Sequence, residues 1–399
     1  MITCTEIRRL TCAELIDFLR LFCYIGKEHA VNTRRKTKEV KLMNKKLNIA
    51  VVGCGGIANC CHFPAYEKMD NVNIVAVCDI IHERALKAAK QFGLSEDKAF
   101  TDFREMLKLD GIEAVDICTP NYLHSIVAVE ALGLGLHVFC EKPDAVSVAE
   151  CEKMKAAAEK SGKTLMVMRN NRFRETSKFM KKYIEDGKMG EIYAGHCGWI
   201  RRRGIPGKGG WFTTKELSGG GPLIDLGVHM IDLAIWLMGN PTPVSVTGCT
   251  YSKFADNTGE ADSEHSKFGD VKEDGIFDVE DLAMGFIRFD NGACLTIDFS
   301  WATNIEKEQH FVKLRGTKAG SDFRDEDNFR IFTEENGIMV DLEPKVPEGI
   351  QHHEANLRHF ADVVLNGKEP MFTPIQGLNM IKILEALYKS AETGKEIAL

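Results

Sequence analysis

The segment Leu47-Asn48-Ile49-Ala50-Val51-Val52-Gly53-Cys54-Gly55-Gly56-Ile57-Ala58 decides how the whole chain is read. Six mostly apolar residues with a β-strand pattern run into glycines, and a helix opens after them. The glycines fit G-x-G-x-x-A, the dinucleotide fingerprint with alanine at its third position. Glycine permits the tight turn and lets backbone N–H groups approach a pyrophosphate at the helix N-terminus. Such a string is weak alone and gains weight from context, because the next strand ends in Val77-Cys78-Asp79. The Asp79 carboxylate can accept hydrogen bonds from ribose hydroxyls and repel a 2′-phosphate, which favours NAD over NADP. Arg84 lies close enough to leave NADP open. The competing reading is a structural glycine turn beside a solvated aspartate.

Outward from this segment, short β-rich runs alternate with helical ones. Strands are predicted at 47–52, 73–78, 114–118, 137–140 and 164–168, with helices at 83–92 and 147–160 among the connections. Near-continuous apolar strands separated by helices imply a parallel, doubly wound sheet. After about residue 170 the rhythm changes. A helix near 178–186 is followed by a strand at 192–200, and an apolar helix then runs to Met238 and stops at Gly239-Asn240-Pro241, a normal C-terminal signal. Strand-like runs follow at 244–250, 282–289, 293–301 and 311–314, with Asp290-Asn291-Gly292 as a hairpin turn between two of them. These runs imply a second, mostly antiparallel sheet. Residues 255–277 are polar without a period and read as a long loop, and a helix near 375–393 closes the chain. The fold class is α/β, divided into a basic extension at 1–46, a dinucleotide-binding domain at 47–169 and a substrate-binding and oligomerisation domain at 170–399.

Three motifs carry chemistry. Thr119-Pro120-Asn121-Tyr122-Leu123-His124 and Glu141-Lys142-Pro143 each follow a predicted parallel strand, and loops at such carboxyl ends line the ligand crevice. Asn121 can touch a ligand or cap a helix, and His124 is equally open between contact and scaffold. Proline restricts the backbone of the lysine before it. Lys142 held there can hydrogen-bond a substrate oxygen and offset developing negative charge, although E-K-P also occurs as a plain surface turn. The third motif, Gly219-Gly220-Gly221-Pro222-Leu223-Ile224-Asp225-Leu226-Gly227-Val228-His229, sets a carboxylate and an imidazole four residues apart at a helix start. Such residues share a helix face. Histidine moves protons near neutral pH, and a nearby carboxylate can orient it and favour its charged form. A surface pair is the bland alternative. Further on the cleft side, Asn170-Asn171-Arg172 follows the last parallel strand, and Arg201-Arg202-Arg203 and Trp211-Phe212 lie in a glycine-rich loop. Asn171, Arg172, Arg203 and Trp211 are candidate substrate contacts through hydrogen bonds, an aromatic face or arginine–anion pairing. A solvated basic loop or a subunit contact is the alternative for the arginines.

Composition bounds the class. The chain has 399 residues, 44% hydrophobic and 27% charged, with net charge −7, which suits a soluble globular protein of more than one domain. That charge argues against general nucleic-acid or anionic-membrane binding, and no apolar run in the sequence approaches a membrane span. Thirteen cysteines lack C-x-x-C or ligand-like spacing, so reduced thiols in the cytoplasm and no metal are expected. Residues 1–46 carry eleven Lys and Arg against five Asp and Glu, a net +6, leaving −13 for the remainder. A targeting peptide is one reading. A dispensable extension with Met43 as the true start is preferred, so a chain beginning there should fold and act normally.

The glycine loop, Asp79, the TPN-x-x-H and EKP turns and the GGGPLIDLGVH segment occur together in this order. The combination strongly resembles the Gfo/Idh/MocA family of nicotinamide-dependent oxidoreductases over about residues 47–399. The resemblance implies an N-terminal Rossmann domain and a C-terminal α/β domain with a large open antiparallel sheet, on which dimers or tetramers are built. It places catalysis on Lys142, Asp225 and His229. Cofactor contacts fall on Gly53, Gly55, Gly56, Asp79, Thr119, Asn121 and Glu141, with Ile57, Ala58, Pro120 and His124 beside them. In the implied chemistry His229 removes a hydroxyl proton, Asp225 orients and tunes it, and Lys142 polarises the oxygen, while the carbon passes hydride to NAD. The expected substrate is a secondary alcohol of a sugar, glycoside or cyclitol. Two rivals stay open. One is redox-neutral glycoside cleavage with the NAD regenerated in place, and the other is a non-catalytic dinucleotide sensor.

Overall fold

Strand β1 (Leu47–Val52) lies at the centre of a six-stranded parallel sheet. Its neighbours are β2 (Val72–Cys78) on one side and β4 (Ala114–Ile117) on the other, and the full order is β3-β2-β1-β4-β5-β6, with β3 at Ala99–Phe100, β5 at His137–Cys140 and β6 at Leu165–Val167. The order reverses at β1, and a ligand crevice opens at the carboxyl ends of the strands flanking such a reversal. The strands are buried on both faces because helices cover them: α1 (His82–Gln91), α2 (Tyr122–Gly133) and α3 (Val148–Ser161). Ser147 caps α3 by accepting the N–H of Glu150, and Gly162 ends it in the left-handed conformation. This computed structural model describes residues 45–255, 269, 271–324 and 328–399. Leu47–Leu399 forms one compact unit. The expectations for the basic extension, and most of those for the 255–277 loop, lie outside the described residues.

After α4 (Glu175–Glu185), β7 (Ile192–Ile200) enters a nine-stranded sheet of order β14-β13-β12-β11-β7-β10-β9-β8-β15. Its members are β8 (Pro243–Tyr251), β9 (Leu282–Phe289), β10 (Cys294–Ser300), β11 (Gln309–Gly316), β12 (Ala319–Arg324), β13 (Asn328–Glu335), β14 (Ile338–Leu342) and β15 (Ile397–Ala398). All pairs are antiparallel except β10 with β7. Two helices cover one face: α5 (Val228–Leu237) packs on β7 and β11, and α7 (Pro374–Thr393) packs on β8. On the opposite face Met284, Phe332 and Met339 stand exposed.

Two helices join the halves. The helix α6 (His352–Asn366) returns from the second sheet to the first, where Leu357, Phe360 and Ala361 pack among β1 and β5 side chains, and α7 packs on α3. The helical stretch Lys215–Leu237 is long and apolar enough to cross a membrane by length and composition, contrary to the expectation from sequence, but 83% of it is buried inside the protein. Its apolar surface is answered by the core rather than by lipid. The ten described cysteines are free thiols, and Cys78, Cys118 and Cys140 are buried at strand ends as expected.

Candidate active site

The crevice begins at the glycine loop. Gly53 has φ +98°, and a Cβ there would sit 2.5 Å from the Cys118 carbonyl oxygen, so only glycine lets β1 turn this close to β4. The Asp79 carboxylate accepts the N–H groups of Cys54 at 2.8 Å and Ile81 at 2.9 Å, which fixes the loop against the end of β2. A cavity of ≈ 730 Å³ runs along these strand ends and is lined by Gly53, Gly55, Gly56, Ile57, Asp79, Arg84, Thr119, Pro120, Asn121, Glu141, Lys142 and Trp211. Two observations fit a dinucleotide here. A Cβ at Gly55 would meet nothing within 4 Å, so the turn faces open space. The Thr119 hydroxyl, on the cavity wall, is buried without a hydrogen-bond partner.

Two candidate cofactor residues take other roles, and a third, Asn121, lines the cavity while also bridging to the second half. Ala58 is fully buried in the core and packs the helix start onto the sheet. His124 is fully buried with its ring nitrogens 2.7 Å from the Pro143 carbonyl and 2.9 Å from that of Thr119. It holds the TPN and EKP turns together and has no nitrogen left for a ligand. Asn121 does not cap α2, because its amide donates to the Ser218 carbonyl at 2.7 Å and ties the turn to the second half of the molecule.

At the far end of the cavity the ammonium of Lys142 donates to Asp225 Oδ1 at 2.9 Å and to the Asp225 carbonyl at 3.2 Å. The Trp301 indole N–H donates to Asp225 Oδ2 at 2.9 Å. Burial opposes ionisation of Asp225, but the Lys142 and Arg201 charges and these bonds hold its carboxyl down to about 2. Asp225 thus bonds to Lys142 and Trp301 rather than to the His229 ring, and reaches His229 through its charge, which favours the protonated imidazole. Residues Leu223–Gly227 form a π-helical turn, and α5 begins only at Val228, so the regular i, i+4 spacing of an α-helix is lost. Burial and the Lys142 charge push His229 well below its ordinary value, which keeps the imidazole neutral. Its ring lies 6.0 Å from that of Trp199, and its own carbonyl accepts the Asn171 amide at 3.4 Å. Asn171 thus lies beside His229, and Trp211, stacked on Phe212 at 3.8 Å, lies on the cavity wall.

The two arginines proposed for substrate are spent on architecture. Arg172 is 1% exposed and donates to both oxygens of Asp232 at 2.6 and 2.8 Å, to the Met371 carbonyl at 2.7 Å and to Gln376 at 3.0 Å. Arg203 donates to the carbonyls of Arg202 and Thr303 and to Asn304, and lies over the Phe254 ring. Its neighbour Arg201 stacks on Trp199 and lends its charge to Asp225.

Other residues of the centre escaped sequence reasoning. Trp199 donates to Glu308 at 2.7 Å. The buried Glu280 carboxylate accepts the N–H groups of Gly221 and Leu223, which anchors the helix start. His62 bridges Asp116 and Glu141 beneath the cavity. Each partner is remote in sequence, so no spacing signals it.

Comparison with known proteins places the whole of the two sheets within one family. The Gfo/Idh/MocA oxidoreductase model, described as an NAD-binding Rossmann fold, matches residues 47–169, and its C-terminal alpha/beta domain model matches 181–399. D-glucoside 3-dehydrogenase of Escherichia coli is 32% identical over 363 residues, covering 90% of this chain and 99% of that protein. Aldose-aldose oxidoreductase from Caulobacter crescentus, solved with glycerol, superposes with a TM-score of 0.73 at 25% identity over 89% of this chain and all of that one. GenD2 from gentamicin A biosynthesis, solved with NAD, gives 0.71 at 25% identity, over 90% of this chain and 97% of that one.

Proposed function

The chain belongs to the Gfo/Idh/MocA oxidoreductase family, and from that premise we propose that it oxidises a secondary alcohol of a sugar, glycoside or cyclitol with NAD. The observation that carries the reading is the Lys142 ammonium on the wall of a nucleotide-sized cavity, paired with Asp225 and close enough to His229 for its charge to act on that ring. NAD supplies the hydride acceptor when bound. Lys142 donates a hydrogen bond to the substrate oxygen and stabilises negative charge on it as its proton leaves. Asp225, ionised and gripped by Trp301, holds that ammonium in place. His229 takes the hydroxyl proton, a role suited to a neutral ring with no hydrogen-bond partner for its nitrogens among the described residues. Trp211 offers an aromatic face on the cavity wall, and Trp199, bonded to Glu308, stands beside His229. The D-glucoside 3-dehydrogenase relative supports a glycoside as the first substrate class to try.

The test is NADH formation on a panel of glycosides, free sugars and cyclitols, with His229→Ala as control. Undiminished turnover by that variant refutes the assignment. Its net negative charge and reduced thiols suit a cytoplasmic enzyme that binds neither nucleic acid nor membrane. The exposed Met284, Phe332 and Met339 on the open sheet face support a homodimer or homotetramer joined there. Light scattering on a Met284→Lys, Phe332→Lys variant tests this; an unchanged mass removes that face from the interface.

A further inference from the structure

Beneath the catalytic end of the cavity lies a polar cluster that the chemistry above does not use. His62 is fully buried on the turn Ala58–His62 that follows the glycine loop. Its Nδ1 lies 2.7 Å from Asp116 Oδ2 and its Nε2 lies 2.7 Å from Glu141 Oε1. The Tyr66 hydroxyl donates to the same Asp116 oxygen at 2.8 Å. Glu141 Oε2 in turn accepts the backbone N–H of Lys142 at 3.1 Å. The chain of bonds thus runs from the glycine-loop helix through the imidazole to the residue before the lysine.

We propose that His62 is a positioning residue for the cofactor: clamped between Asp116 and Glu141, it fixes the Glu141 carboxylate on the cavity wall and, through it, the backbone that carries Lys142. This rests on reading the cavity as the NAD site. With the pyrophosphate on the glycine loop and one ribose at Asp79, the other end of the nucleotide must reach Glu141 and Lys142. Two carboxylates accept from one ring, so both ring nitrogens carry hydrogen and His62 is an imidazolium. Burial disfavours that charge, but Asp116 overcomes it and raises His62 well above its ordinary value. Burial likewise disfavours ionised Glu141, but the His62 bond and charge hold it down to about 2.

The alternative occupant of this cluster is a metal, since one ligand atom each from His62, Asp116 and Cys118 lies within 4.8 Å of the others. The contacts at 2.7 Å have the length of charge-assisted hydrogen bonds.

Glu141 also faces Lys142, His353 from α6, the thiols of Cys60, Cys61, Cys118 and Cys140, and the rings of His124 and His229. The Cys61 hydrogen bond lowers Cys60 to about 7, so every protein in the test carries Cys60→Ser to keep that thiol out of the readout. NADH affinity is titrated by fluorescence from about pH 5 to 8 on the full chain, then on His62→Gln, Glu141→Gln and the pair.

The parent should bind NADH with no pH dependence. His62→Gln should lose on the order of tenfold at the acid end, the scale of one charge-assisted hydrogen bond, and recover at the alkaline end. Without the imidazolium, burial raises the Glu141 carboxyl and it takes up a proton as pH falls. Glu141→Gln should lose affinity equally at every pH, and the double variant should match it, because His62 acts only through Glu141. Additive losses, or a pH-independent loss in His62→Gln, overturn the proposal, as does a stoichiometric metal in the purified protein. Should His62→Gln fail to fold, nitrogen NMR of the parent decides, since a neutral His62 ring at pH 8 is equally fatal. A parent that binds no NADH breaks the NAD reading as well, whereas intact binding with additive variants breaks the His62 proposal alone.

Discussion

The same turn and the same helix build two ion clusters with opposite character. Lys142 and Asp144 sit on one turn after β5, and Asp225 and Asp232 flank His229 before and within α5. Lys142 and Asp225 pair at the cavity end with side chains 20% and 13% exposed. Asp144 and Asp232 instead take Arg169 and Arg172, and no side chain in that group exceeds 5% exposure. In the sealed group Arg169 reaches Asp144, Asp232 and the Met168 carbonyl, while Arg172 reaches Asp232, Met371 and Gln376. Beside the open group stands His229, a neutral ring with no hydrogen-bond partner for its nitrogens among the described residues. Charge alone therefore does not mark a catalytic centre. The catalytic centre we propose is an accessible ion pair beside an uncommitted base, while the enclosed and fully answered group holds the halves together.

Substitutions can break that contrast, and the open group should give the largest effect. His229→Ala should lower turnover about 10²–10⁴-fold, the usual range for general acid–base help, with the melting temperature little changed. In the sealed group Asp232→Ala should do the reverse. It leaves the buried Arg172 guanidinium with no carboxylate and Arg169 with Asp144 alone, a loss on the order of 3–5 kcal/mol, seen as a lower denaturation midpoint. A catalytic collapse in Asp232→Ala without loss of stability would erase the distinction.

The pH profile sharpens the comparison next. The base works unprotonated, and burial with the Lys142 charge pushes its proton off, so kcat/KM should fall only below pH 6.5 as acid is added. Lys142→Met removes the cation and frees Asp225 to attract the proton, which should move that acid limb upward as well as lower the rate. An acid limb already above 6.5 in the parent contradicts a neutral, depressed His229. A smaller loss belongs to Trp301→Phe, which deletes one hydrogen bond to Asp225. It should cost about 1.5–3 kcal/mol of transition-state stabilisation, the scale of a bond to a charged group, read as a fall in kcat with KM nearly constant.

The two halves of the molecule were not equally legible. The glycine loop, Asp79 and the motif turns all follow directly from strands of the first sheet, so chain order maps onto space. Position after a parallel strand was enough to place Asn121, Glu141 and Lys142 near one crevice. In the second half the partners come from distant segments: Trp301 meets Asp225, Glu280 meets Gly221, and Glu308 meets Trp199. No period or spacing carries that information. The i, i+4 argument brought Asp225 near enough for its charge to act on His229, but it could not foresee the π-helical turn or the Lys142 and Trp301 donors that take its hydrogen bonds. Strands β12 to β14 and helix α6 were also missed. Their residues alternate weakly, and α6 gains its burial by crossing back to the first sheet.

Arg203 should show the smallest effect, and it tests the principle at its weakest point. From sequence it belongs to an arginine cluster beside the catalytic helix and resembles an anion clamp. In the fold its guanidinium spans the carbonyls of Arg202 and Thr303 and the Asn304 amide oxygen, and the Phe254 ring covers it. Those contacts hold one loop to its neighbour at a partly exposed site, so Arg203→Ala should cost about 1 kcal/mol or less and leave KM for a neutral glycoside unchanged. A large rise in KM with normal stability would mean that this side chain leaves its loop partners for the substrate, and an answered cation would then no longer be a sign of architecture.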